Sequence, residues 1–182
     1  MILNSIILAI IYVCIYLIFL RSKKKTQILK ISMMYFYLCA VLFVTILPID
    51  FTLDFKWEYH SSIKVTYIHF KPFNDLIMGY RGAVRQIILN IIMTIPFGFL
   101  CCVLKKNSTF IGVVLKTFCL SFTIEFFQLI MTIFLLHHRS CDVTDLITNV
   151  IGGIIGFILY KLIRWIFNKK GIIVLWTKKK RC

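Results

Sequence analysis

The chain has 182 residues, 60% of them hydrophobic, and carries 22 Lys and Arg against 7 Asp and Glu, a formal net charge of +15. Soluble domains average about 45–50% apolar residues, so this composition excludes an ordinary cytosolic enzyme, a disordered tail and a secreted disulfide scaffold. A soluble chain this basic would point to nucleic acid; here the cations sit in short blocks between apolar runs, which is the mark of membrane topology instead.

Residues 2–20 hold no charge. They lack the basic start and small-residue cleavage site of a secretory signal, and they read as a first spanning helix. A basic block, 21–30, follows. Residues 31–49 form a second span with Pro48 near its end, and 50–85 form a mixed, aromatic outer loop. Within that loop Trp57, Tyr59, Tyr67 and Phe70 suit an aromatic belt, and His69 to Asp75 suits a turn lying at the interface. Residues 86–104 form a third span that Pro96 and Gly98 are expected to break. The segment KKNST turns the chain into a long fourth span, 110–136, interrupted by Lys116, Glu125 and Gln128. A polar loop, 137–145, leads to a fifth span, 146–166. The tail, 167–182, is basic, and its apolar patch is too short to cross a bilayer; Lys178, Lys179, Lys180 and Arg181 suit an anchor on anionic lipid.

The expected architecture is all-α: a polytopic helical membrane protein with about five spans. It divides into a first helix with its basic loop (1–30), a membrane domain (31–166) and a tail. All the Lys and Arg except Lys56, Lys64, Lys71, Arg81, Arg85 and Arg139 fall on one side, so the positive-inside rule orients the chain with its N-terminus outside and its C-terminus inside. The seven Cys form no CxxC pair, which suggests neither a zinc site nor a disulfide framework. No cofactor is implied.

The polar residues at membrane depth need an account. Glu125 sits near the middle of the fourth span, ~22 Å from one end and ~16 Å from the other at 1.5 Å per residue. An ionisable group there costs at least ~2.5–3.5 kcal/mol and must meet a partner or a cavity. Ser121 and Gln128 share its helix face. Structural glue between helices and a functional site both fit. Asp142 and Asp145 stand at the start of the fifth span, where a carboxylate caps free backbone N–H groups. Capping accounts for one Asp more readily than for two beside Arg139. Asp145, Asn149 and Gly152 recur at i, i+4 and i+7. Gly152 and Gly156 make a GxxxG pair, whose first reading is close helix packing and whose second is a helix-mediated oligomer. Asn90 lies one to two turns into the third span, ahead of Pro96. Asn90, Glu125, Gln128 and Asn149, with Arg139, Asp142 and Asp145 above them, are expected to converge into one polar pocket open to the outer leaflet.

These residues also carry a resemblance. The run from Asn90 through Pro96-Phe97-Gly98-Phe99 resembles the N-x-x-x-F-x-P-F-G-F segment of VanZ-like membrane proteins. Ser121 to Gln128 is similar to their S-x-x-I-E-x-x-Q segment. Arg139 to Gly156 resembles R-x-x-D-x-x-D-x-x-x-N-x-x-G-G-x-x-G, and Phe70-Lys71-Pro72-Phe73 resembles their upstream N-x-x-P-F signal. Two positions depart: His138 stands where the family usually has Gly, and Thr94 where an aromatic or aliphatic residue is common. The resemblance implies a multi-pass protein of the bacterial cell membrane and a link to resistance to the glycopeptide teicoplanin; it implies no reaction.

Four readings are open on these grounds. In the first, the pocket engages a membrane lipid or lipid-linked envelope precursor, with Arg139 contacting an anionic group bidentately. In the second, Glu125, Asp142 and Asp145 supply an acid and a base for an enzyme acting on a lipid headgroup, or hold a divalent cation with His137 or His138. The third is a transporter or channel, and the fourth a scaffolding subunit. Neither GxSxG nor HExxH is present to sharpen the second.

Overall fold

The computed structural model describes residues 2–45, 68–69, 71–105, 107–135 and 141–169. Helix α1, Ile2–Ile15, runs on as a π-helical turn, Tyr16–Leu20, closed by the Arg21 N–H on the Tyr16 carbonyl at 2.9 Å. Helices α2 (Lys25–Thr45), α4 (Ala83–Leu104), α5 (Phe110–Leu135) and α6 (Val143–Lys169) follow. Between α2 and α4 lie a two-residue strand β1 (Ile68–His69) and one turn of helix, α3 (Asn74–Ile77). Strand β2 (Cys141–Asp142) precedes α6 and pairs with β1 in parallel, Ile68 beside Cys141 and His69 beside Asp142.

Four helices among the described residues are long and apolar enough to cross a membrane, and the apolar helix Ile6–Leu20 is shorter. The boundaries shift from the expected ones because polar flanks join the helices. Helix α2 begins inside the basic block at Lys25, and α6 takes in Asp145 and runs on to Lys169. The expected break at Pro96 and Gly98 is absent: α4 passes through both. Proline removes one N–H and crowds the carbonyl four residues back. That carbonyl belongs to Ile92; at the residue after it, the Tyr37 hydroxyl on α2 donates to the Met93 carbonyl at 2.8 Å.

The surface is that of a protein dissolved in hydrocarbon. Ile18, Phe36, Val44, Ile92, Ile111 and Phe122 are exposed, whereas Ser32, Thr45, Asn90, Thr94, Thr117, Ser121, Glu125, Thr144, Thr148 and Asn149 are buried. Lipid is as apolar as leucine, so burying hydrocarbon gives helices no reason to associate; small residues and internal polar contacts do. Helices α4 and α6 run parallel at backbone contact. A Cβ on Gly98 would lie 2.9 Å from the Cα of Gly153, and one on Gly156 would lie 2.8 Å from the Phe99 nitrogen. Helix α5 lies antiparallel to α6, with the Thr117 side chain filling the space beside Gly153. The glycine face of α6 is thus covered by the chain's own α4. At Gly152 and Gly156 the close neighbour is α4 of the same chain, which is the helix packing that the GxxxG pair first suggests.

Helices α1 and α2 form a hairpin on this core. The Tyr12 and Ser32 hydroxyls bond at 2.7 Å, and Tyr35 donates to the Leu8 carbonyl. Helix α2 docks on α4 antiparallel, through Tyr37 near one end and the Lys30 ammonium on the Val103 carbonyl, 3.0 Å, near the other.

Candidate functional site

The three helices α4, α5 and α6 enclose a polar seam that begins at the β1–β2 end and descends to membrane depth. At its mouth, the Asp142 Oδ1 accepts the Thr144 backbone N–H at 2.7 Å and so caps α6. The Thr144 hydroxyl in turn accepts the Phe73 N–H at 2.9 Å. That bond holds Phe73 at φ 57, a left-handed conformation that non-glycine residues adopt at some cost. The 73–75 turn and its Asp75 are thereby fixed against the start of α6.

Glu125 sits one level down and is 2% exposed. Its Oε2 accepts the Asp142 N–H at 3.1 Å, so the carboxylate of α5 grips the backbone where β2 becomes α6. Asp145, half-buried in the first turn of α6, faces the side-chain amides of Gln86 and Asn90 across the seam, with the carboxylates of Asp142 and Asp75 nearby. Deeper still, the Asn149 Nδ2 donates to the Ser121 Oγ at 2.8 Å. The seam closes below this pair on Thr94, Thr117 and the glycines.

Two polar atoms along the seam are buried with no partner at hydrogen-bond geometry among the described residues: the Asn90 Nδ2, which faces the Asp145 carboxyl, and the Asn149 Oδ1. A buried polar group left unmade costs ~1–3 kcal/mol. One orphan donor and one orphan acceptor on facing helices are matched to a group that both accepts and donates, such as a hydroxyl, an amide or a water.

The structure brings together Asn90, Glu125, Asp142, Asp145 and Asn149 from the expected set. The Gln128 Nε2, on the same face of α5 as Glu125, donates to the Thr45 carbonyl at 3.1 Å and ties α5 to the end of α2. Arg139, His137 and His138 lie outside the described residues, as do Phe70 and the aromatic-belt positions Trp57, Tyr59 and Tyr67. Among the described residues no three His, Cys, Asp or Glu side chains are grouped to hold a metal ion. Sequence reasoning missed Gln86, Thr117 and Thr148. Their signal was present: Gln86, Asn90 and Thr94 recur every four residues, as do Thr117, Ser121 and Glu125.

Apolar helices exposed outward, polar side chains gathered inward and glycine-mediated helix contact define a polytopic helical membrane protein. A VanZ/LLP1 family model matches residues 34–164. The chain belongs to the VanZ/LLP1 family. It is 30% identical over 145 residues to Protein VanZ of Enterococcus faecium, across 79% of this chain and 81% of that one. No solved structure matches.

Proposed function

We propose that this protein works in the bacterial cell membrane with its N-terminus and the Glu125 end of the seam outside. There it contributes to glycopeptide tolerance, of the teicoplanin kind, by engaging a lipid or lipid-linked envelope precursor. The carrying observation is the pair of unpartnered buried amide atoms, Asn90 Nδ2 and Asn149 Oδ1, beneath a mouth built from Asp142, Asp145 and Glu125. Asn90 and Asn149 bind polar groups of the ligand, Arg139 contacts its anionic group bidentately, and Asp142 and Asp145 hold Arg139 in place when the pocket is empty. A second reading, an enzyme acting on a lipid headgroup, draws on the same carboxylates: Asp145 with Asp142 and Asp75 beside it is suited to hold or release a proton.

The test is glycopeptide susceptibility in a host lacking the protein, complemented with wild type, Glu125→Gln, Arg139→Lys and Asp145→Asn at matched membrane levels. Wild type is expected to raise teicoplanin tolerance and the three variants to lose it. Equal tolerance in all four strains overturns the pocket as the working site. Turnover of lipid or pyrophosphate by the purified protein, abolished in Asp145→Asn, selects the enzyme reading.

A further inference from the structure

The opposite end of the bundle gathers ammonium groups that the proposed function does not use. Lys30 on α2 donates to the Val103 carbonyl at 3.0 Å and closes the last turn of α4. Lys105 caps that turn. Lys116 stands one turn after Val113 on α5 and Lys161 next to Tyr160 on α6, and Val113 and Tyr160 both pack in the cluster around Cys101 and Cys102. Lys161 reaches back over the Phe157 ring, 5.3 Å from its centroid. Phe157 packs on the buried cluster of Phe97, Cys101, Cys102 and Val113, and edge-on against Phe110.

Lysines from α2, α4, α5 and α6 therefore lie at the same end of the bundle, around the last turns of α4. The described acids, Asp75, Glu125, Asp142 and Asp145, belong to the other end of the bundle. Like charges brought together on a scaffold repel one another unless an anion lies between them. Lysines on an apolar helix direct their ammonium groups to the membrane interface. The anion in supply there is the lipid phosphate. Exposed Leu104 and Phe110, at the same end, offer apolar surface to acyl chains.

We propose that Lys30, Lys105, Lys116 and Lys161 form a binding site for the phosphate of an anionic phospholipid in the leaflet at this end of the bundle. The site is independent of the polar seam and stands whether or not the seam engages a ligand.

The experiment is native mass spectrometry of the full chain in detergent, titrated with phosphatidylglycerol or phosphatidylcholine, with inorganic phosphate as competitor. Wild type is expected to retain phosphatidylglycerol preferentially. Lys116→Gln and Lys161→Gln are each expected to weaken that binding about fivefold, while Lys116→Arg, Lys161→Arg and Arg81→Gln leave it unchanged. No preference by wild type between the two lipids overturns the proposal without recourse to any variant. So does an undiminished preference in the Lys116→Gln, Lys161→Gln double variant. Displacement of the lipid by millimolar inorganic phosphate overturns the lipid assignment and makes the site one for soluble phosphate.

Discussion

Replacing Gly156 by alanine tests the contact on which the seam depends. A methyl group there would press on the Ile95 carbonyl and lie 2.8 Å from the Phe99 nitrogen and 3.1 Å from the Gly98 Cα. All three are backbone, so no side chain can swing aside. Reaching an ordinary separation of ~3.5 Å from the Phe99 nitrogen means parting α4 and α6 by about 0.7 Å. Overpacking of this kind costs ~1–3 kcal/mol. Alanine recovers up to about 1 kcal/mol because it is the better helix former. The net is a loss on the order of 1–2 kcal/mol, or a fall of roughly 2–8 °C in Tm for a chain of this size. Gly112→Ala is the comparison, because its new methyl meets a side chain and no backbone, the Thr109 hydroxyl that accepts the Gly112 N–H, and it is expected to cost less than Gly156→Ala. The assay is thermal unfolding of the purified protein in detergent, followed by size-exclusion fluorescence. If Gly156→Ala unfolds at or above the wild-type temperature, α4 and α6 are not in backbone contact and the geometry of the seam is wrong.

Two smaller changes probe its edges. Asp142→Ala removes the Oδ1 that accepts the Thr144 N–H and is expected to cost ~1 kcal/mol of stability, whereas Asp142→Asn keeps the cap; matched thermal shifts for the two would contradict a capping role. Tyr37→Phe removes the 2.8 Å bond to the Met93 carbonyl. Its expected cost is ~0.6 kcal/mol, the average for hydrogen bonds between membrane helices. Coupled to Pro96→Ala in a double-mutant cycle it should show a non-additive term, and strict additivity would separate the bond from the proline.

Much of this was legible because hydrocarbon simplifies the reading. Uncharged runs marked the spans, and Asn90, Glu125 and Asn149 stood out as groups that cannot face lipid. What escaped depends on partners remote in sequence. The break expected at Pro96 ignored Tyr37, which sits on another helix and meets the backbone beside the disturbance. That Gln128 also reaches another helix could not be read from its place beside Glu125, because its acceptor, the Thr45 carbonyl, is 83 residues away. The GxxxG pair correctly announced close approach, but such a motif does not say which helix approaches. The lysines were counted to orient the chain, and counting could not reveal that Lys30, Lys105, Lys116 and Lys161 lie around the last turns of α4.

The parallel pairing of α4 with α6 also sets a schedule for biosynthesis. Helix α4 enters the membrane before its main partner has been made, because Gly152 and Gly156 follow about 60 residues later, several seconds of synthesis at ~5–20 residues per second. During that interval its hydroxyl cannot depend on a neighbour. Thr94 meets the need locally, bonding the Asn90 carbonyl at 3.0 Å within its own helix, and Thr117 on α5 does the same with Val113 at 2.9 Å. Both hydroxyls are thus satisfied before the helices meet. The Asn149–Ser121 bond, which no single helix can supply, forms only when α6 arrives, so it is α6 that completes the polar seam.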